Sequence, residues 1–94
     1  MRKSEVVVVG AGIAGLTSAA ILSKKGLSVT LIESHTQPGG CAGTFARKNY
    51  IFDVGATQVA GLEKGGIHSR IFDFLEVPSP DATILDPACI VDFN

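Results

Sequence analysis

Cysteine is scarce in this 94-residue chain. Cys41 and Cys89 form no CxxC pair, and no His/Cys group has metal-site spacing. A disulfide framework or zinc module is therefore not what organises the fold; two reduced thiols are expected, and no metal ligand is assigned. Basic charge is equally scarce. Lys and Arg total 8 against 9 Asp and Glu, the formal net charge is −1, and no basic run exceeds two residues. That balance argues against nucleic acid as the main partner, because such binding needs a concentrated basic face. Long apolar runs are missing as well. Met1-Arg2-Lys3 followed by Val6 to Leu22 superficially resembles a signal peptide. However, Gly10, Gly12, Gly15 and Thr17-Ser18 interrupt the run, Glu5 opens it, and Lys24-Lys25-Gly26 close it. It also falls short of the ~20 apolar residues that a membrane-spanning helix needs. The chain is expected to be cytoplasmic.

Glycine is abundant, with 11 residues, and the composition is otherwise globular at 46% hydrophobic. A chain of this length buries only about 60–65% of its unfolded surface, so a core built from it alone is marginal. Val6-Val7-Val8-Val9 is a continuous β-branched run, the signature of a strand buried on both faces of a parallel sheet. Gly10-Ala11-Gly12 breaks it. From Ile13 to Lys25 apolar residues recur at helical spacing, with Gly26 placed to terminate the helix. Leu27 to Ile32 alternates into a second strand ending at Glu33. This is a β-α-β unit of about 30 residues, and its crossover is expected to be right-handed. Beyond it the pattern predicts a β-hairpin, Thr44–Ala46 with Tyr50–Phe52, turning at Arg47-Lys48-Asn49. A glycine-rich loop follows, then a short helix from His68 to Val77 with Ile71, Phe72, Phe74 and Leu75 on its apolar side, ended by Pro78. Two further strands are expected at Thr83–Leu85 and Ala88–Phe93.

Gly10-Ala11-Gly12-Ile13-Ala14-Gly15 is a GxGxxG sequence. By itself it is weak. Here it follows a strand and opens a helix, and Glu33 ends the next strand 18 residues beyond Gly15, close to the ~20 expected of a dinucleotide fingerprint. Each part has a physical task. Gly10 permits the tight turn. Gly12 lacks a Cβ and lets a pyrophosphate approach the backbone. Gly15 allows the helix to pack close to the strands. The amides near Ile13 and Ala14 face the phosphates, aided by the helix dipole. Glu33 accepts hydrogen bonds from ribose hydroxyls, and its charge disfavours a 2′-phosphate.

The spacing of Gly10, Gly12, Gly15, Ala19, Leu22, Gly26, Val29 and Glu33 resembles the long dinucleotide-binding pattern of flavoproteins with two such domains. Pro38-Gly39-Gly40 resembles the glycine doublet of the amine-oxidase and phytoene-desaturase group. Phe52-Asp53-Val54-Gly55-Ala56-Thr57 resembles its F-D-x-G segment. The run from Phe52 to His68 looks most like carotenoid desaturases of the C-3′,4′ type, with carotenoid isomerases and retinol saturases as near relatives. The resemblance covers essentially the whole chain. It implies the FAD-dependent phytoene desaturase / carotenoid isomerase family and an α/β, partial Rossmann-like FAD-binding domain. In that reading residues 1–94 are the incomplete N-terminal part of such a domain.

The resemblance implies FAD as cofactor and assigns the site. Gly10, Ala11, Gly12, Ile13, Ala14 and Gly15 hold the pyrophosphate, and Glu33, with Ser34 beside it, holds the adenosine ribose. Gly39, Gly40 and Thr44 lie along the pyrophosphate and ribityl chain, and Gly55, Ala56 and Thr57 approach the isoalloxazine. Cys41 departs from the small residue or Arg common there and is expected to pack. His68 is expected to start a helix, His35 to lie in a loop near the adenosine, and Asp53 either to orient the following loop or to face solvent. No catalytic residue is assigned, because the cofactor carries the redox chemistry. The implied substrate of the parent enzyme is a carotenoid-like apolar polyene, desaturated or isomerised, with peripheral membrane contact; Ile67, Ile71, Phe74 and Leu75 either line an apolar access surface or pack on the remainder of the domain. Three readings stand at this point: such an oxidoreductase, an amine-oxidase-like flavoprotein, or an inactive truncated nucleotide-binding module. The isolated chain is expected to bind FAD weakly, to expose apolar surface and to self-associate through strand edges.

Overall fold

The computed structural model describes residues 3–93; Met1 and Arg2 of the signal-like start, and Asn94, lie outside the described residues. The fold is α/β. The chain divides into two units, residues 1–59 and 60–94.

The first unit begins with β1 (Val6–Val9), α1 (Ile13–Lys24) and β2 (Val29–Ile32). β1 and β2 pair in parallel, with Val6 opposite Val29 and Val9 opposite Ile32. Parallel neighbours need a crossover, and α1 supplies it, packing against both strands. The start of the pair is fastened by polar groups: the Ser28 amide donates to the Glu5 carboxylate at 2.9 Å, and the Ser4 and Thr30 hydroxyls bond across the strands. α1 ends as the sequence predicts. Gly26 takes a φ of +94°, its amide donates to the Ser23 carbonyl, and the Leu27 amide donates to the Leu22 carbonyl. These two bonds form a Schellman closure, which needs a left-handed residue after the helix and so favours glycine.

One expectation for β1 is corrected. The all-valine run reads as a strand covered on both faces, yet Val7 is 55% and Val9 80% exposed, while Val6 and Val8 are half-buried. A two-stranded sheet with one crossover helix has cover for one face only. Among the described residues only Ala11 is a buried apolar residue, so apolar surface is exposed as expected.

After β2 the chain makes one 3-10 turn (Gly40–Ala42) and a hairpin of β3 (Thr44–Arg47) and β4 (Tyr50–Asp53). Thr44 lies opposite Asp53 and Arg47 opposite Tyr50, which leaves Lys48-Asn49 as a two-residue turn. Each strand is one residue longer than predicted. Phe45 stacks on its cross-strand partner Phe52 at 5.4 Å between centroids, and the Arg47 guanidinium lies 5.2 Å above the Phe45 ring. Cross-strand aromatic pairs of this kind hold register in a hairpin that has little else to bury.

The second unit contains α2 (Ile67–Leu75). The Gly61 carbonyl accepts from the His68 and Ser69 amides at 3.0 and 3.1 Å, so the glycine-rich loop folds back to cap the helix. Ser69 Oγ reinforces it by donating to the Leu62 carbonyl at 2.6 Å. The helix stops two residues before the predicted Val77, where Glu76 turns left-handed at a φ of +58° ahead of Pro78. Ile71, Phe72 and Leu75 are half-buried, but Phe74, placed on the apolar side from sequence, is exposed.

The strands expected at Thr83–Leu85 and Ala88–Phe93 do not form; the described residues beyond α2 are irregular. Ile84, Ile90 and Phe93 are 81–92% exposed. A strand exists only with a neighbour to take its backbone hydrogen bonds, and no strand forms among the described residues of this unit.

Candidate functional site

The site forms where β1 ends. The Gly10 amide donates to the Ile32 carbonyl at 2.7 Å, which extends the β1–β2 ladder by one bond. Gly10 then turns the chain with a φ of +101°, a conformation strained for any residue with a Cβ. Gly12 caps α1 in an extended conformation and offers no side chain to its free amides. The first intrahelical bond of α1 runs from the Leu16 amide to the Gly12 carbonyl at 2.9 Å. The amides of Ile13, Ala14 and Gly15 therefore precede the helical ladder and emerge at its positive end. No acidic side chain occupies that first turn.

The glycines do different work. A Cβ at Gly15 would lie 1.8 Å from the Gly10 carbonyl oxygen, so this residue lets α1 seat on the turn. A Cβ at Gly12 would meet nothing within 4 Å. The missing Gly12 side chain therefore faces open space and is not required by packing within the fold.

Glu33 points back at this turn. One carboxylate oxygen accepts from the Ala11 amide at 2.7 Å, and the other accepts from the His35 amide at 2.9 Å. These bonds, chiefly the one from Ala11, hold the Glu33 carboxyl below the usual glutamate range. An ionised carboxylate has about four acceptor positions, so Glu33 keeps capacity for an outside donor such as a sugar hydroxyl. Ser34 follows it and is exposed.

The second glycine segment reaches the same place. The Gly39 amide donates to the Ala11 carbonyl at 2.8 Å, and a Cβ at Gly40 would lie 3.1 Å from the Gly12 Cα. The F-D-x-G segment joins through the 3-10 turn: the Ala56 amide donates to the Cys41 carbonyl at 3.0 Å, and a Cβ on Gly55 would lie 3.2 Å from that oxygen. The sequence-predicted residues Gly10–Gly15, Glu33, Gly39, Gly40, Gly55 and Ala56 thus form one connected backbone surface. Thr44 begins β3 beside it, and its carbonyl accepts from the Gln37 side chain. Thr57 is exposed on the loop after β4.

Two outcomes go beyond the sequence reading. Ala11, which the resemblance assigns only to the pyrophosphate turn, lies at the centre as a hydrogen-bond hub, 2% exposed, with both its amide and its carbonyl engaged. Alanine carries no chemical signal, and only its place between two fingerprint glycines marks it. Cys41, expected to pack, is exposed; its backbone carbonyl, not its thiol, serves the site. His68 sits in the first turn of α2 as expected, with Nδ1 2.6 Å from the Ala60 carbonyl.

Residues 8–75 match the NAD(P)-binding Rossmann-like domain family. The chain is 44% identical over 72 residues to human all-trans-retinol 13,14-reductase, covering 77% of this chain and 12% of that protein. It is 37% identical over 87 residues to prolycopene isomerase 2 of the Oncidium hybrid cultivar, covering 92% of this chain and 15% of that protein. It is also 37% identical over 90 residues to the carrot (Daucus carota) prolycopene isomerase, covering 95% and 15%. The chain spans about an eighth to a seventh of the length of these curated relatives.

Proposed function

We propose, on the premise that the chain belongs to the NAD(P)-binding Rossmann-like domain family, that it is the FAD-binding N-terminal portion of an oxidoreductase acting on a carotenoid-like polyene. Family membership gives the coarser statement, a dinucleotide cofactor. The finer one rests on the second glycine segment. Gly39 and Gly40 lie directly on the turn at Ala11 and Gly12, extending the cradle beyond what one GxGxxG turn provides. The relatives are named for a reductase of retinol and an isomerase of prolycopene, both conjugated polyenes.

The residues present fit the group. The open approach at Gly12 and the free amides of Ile13 and Ala14 accept a diphosphate, since a helix N-terminus provides both donors and a favourable dipole. Glu33 accepts from the ribose hydroxyls. Gly39, Gly40, Gly55 and Ala56 give a track with almost no side-chain bulk for the rest of the cofactor, with the Thr44 and Thr57 hydroxyls as polar contacts along it. FAD supplies the two-electron chemistry when bound; the chain's own residues bind and orient it. A membrane-dissolved polyene substrate would place the intact protein at a membrane surface, although no helix among the described residues is long and apolar enough to cross one.

Titration of the protein with FAD, followed by flavin fluorescence, and with NAD and NADP, followed by calorimetry, tests the cofactor. FAD is expected to bind tightest and NADP weakest, because its 2′-phosphate meets the Glu33 carboxylate. Equal or tighter binding of NADP would remove the reading. Conversion of prolycopene- or retinol-type polyenes by the intact protein, with amines left unchanged, tests the substrate class.

A further inference from the structure

We infer that Glu33 is a positioning residue: through Ala11 it locks the Gly10–Gly15 turn to the Gly39–Gly40 loop before any cofactor arrives. The inference rests on the reading of these two segments as the dinucleotide cradle, and it gives Glu33 a task separate from holding a ribose. Three observations carry it. Ala11 is the most enclosed point of the site, and Glu33 takes its amide while Gly39 binds its carbonyl. The two bonds sit on the peptide groups on either side of the Ala11 Cα, so the turn is held on both sides of one residue. Side-chain packing does not hold the second loop, because Gln37, Pro38 and Cys41 are all exposed. Its attachment to the turn is therefore the Gly39–Ala11 bond together with the close approach of Gly40 to Gly12.

Glu33 is itself held rigidly enough to do this. It follows Ile32, whose carbonyl is bound by the Gly10 amide, and its second oxygen is anchored by the His35 amide. Without the carboxylate, the Ala11 amide becomes an enclosed donor with no acceptor, a state proteins avoid by rearranging. The turn would rotate that amide toward water and carry the Ala11 carbonyl away from Gly39.

Amide hydrogen exchange by NMR on the cofactor-free protein tests the lock. Glu33→Ala is expected to speed exchange at least tenfold at both Ala11 and Gly39, although Gly39 does not touch residue 33. The Ala42 and Gly43 amides, bonded within the 3-10 turn, should change little. Glu33→Gln, whose side-chain oxygen still accepts from Ala11, should restore protection at Ala11 and Gly39 while His35 stays fast. Faster exchange at Ala11 with Gly39 unchanged overturns the inference. If Glu33→Ala unfolds the protein, the wild type decides: under increasing denaturant Ala11 and Gly39 should open with one common protection and slope, and separate openings overturn the lock. FAD affinity of Glu33→Gln is measured separately. A loss there with both amides still protected reports the ribose contact, and an unchanged affinity counts against that contact and not against the lock.

Discussion

Alanine at Gly15 and alanine at Gly12 should have opposite consequences, although both replace a fingerprint glycine. At position 15 the new Cβ would stand 1.8 Å from the Gly10 carbonyl oxygen and 2.9 Å from its carbon. Comfortable contact needs about 3.5 Å, so α1 must withdraw by more than ~1.5 Å or the turn must deform. The obstacle is backbone fixed to β2 by the Gly10–Ile32 bond, so no side chain can swing aside. Overpacking typically costs about 1–3 kcal/mol, and this site should lie at the upper end. With one buried apolar residue among those described, the chain has little stability to lose. Gly15→Ala should therefore abolish or sharply weaken cooperative unfolding.

At position 12 the backbone is extended at a φ of −76°, which alanine adopts freely, and nothing lies within 4 Å. The gain from a stiffer unfolded chain and the loss of a favoured cap glycine are each within about 1 kcal/mol and oppose one another. Stability should stay close to wild type. The methyl group would instead fill the space where a phosphate meets the amides. Loss of one charge-assisted hydrogen bond costs about 1.5–3 kcal/mol, roughly ten- to a hundredfold in FAD affinity. Urea unfolding followed by circular dichroism, paired with flavin fluorescence titration, separates the two effects. Wild-type stability for Gly15→Ala, or wild-type FAD affinity for Gly12→Ala, would refute the assignment of packing to one glycine and ligand approach to the other.

Three further outcomes are expected. Glu33 has its carboxyl held below the ordinary value of 4.5 by the Ala11 and His35 amides, so its stabilising contribution is present above that value and is lost as pH falls through the lower folded one. Urea midpoints measured on the acid side should therefore decline more steeply for wild type than for Glu33→Gln; identical slopes would contradict this. Gly26→Ala, at a φ of +94°, should destabilise α1 by about 1 kcal/mol even though no atom blocks the methyl group, as chemical denaturation will show. Val9→Lys, at a residue 80% exposed on the uncovered sheet face, should lower self-association several-fold in sedimentation velocity while leaving the fold intact.

The β-α-β unit was legible because its signals are local. Four valines, a glycine turn, a helical period, Gly26 and an alternating strand each favour the same structure, and all lie within residues 6–33. The hairpin was legible for the same reason, from two short apolar runs around Lys48-Asn49. Glu33 was found because strand end and fingerprint spacing coincide. What failed depends on neighbours distant in the chain or absent from it. Val7 and Val9 have the composition of covered residues but meet no second layer. Thr83–Leu85 and Ala88–Phe93 have strand-like composition, yet no strand forms there among the described residues. The convergence of Gly39, Cys41 and Gly55 on the turn was invisible from spacing alone, because backbone carbonyls and amides make it, whatever side chains the residues carry.

Chemical-shift mapping of the isotope-labelled protein during titration with FAD tests the central claim most directly. The largest amide shifts should fall at Gly12, Ile13 and Ala14, at Glu33, and at Gly39–Gly40, and saturate together. Shifts confined to α2 and the residues beyond it, with the Gly10–Gly15 turn unmoved, would show that this turn is not a diphosphate cradle.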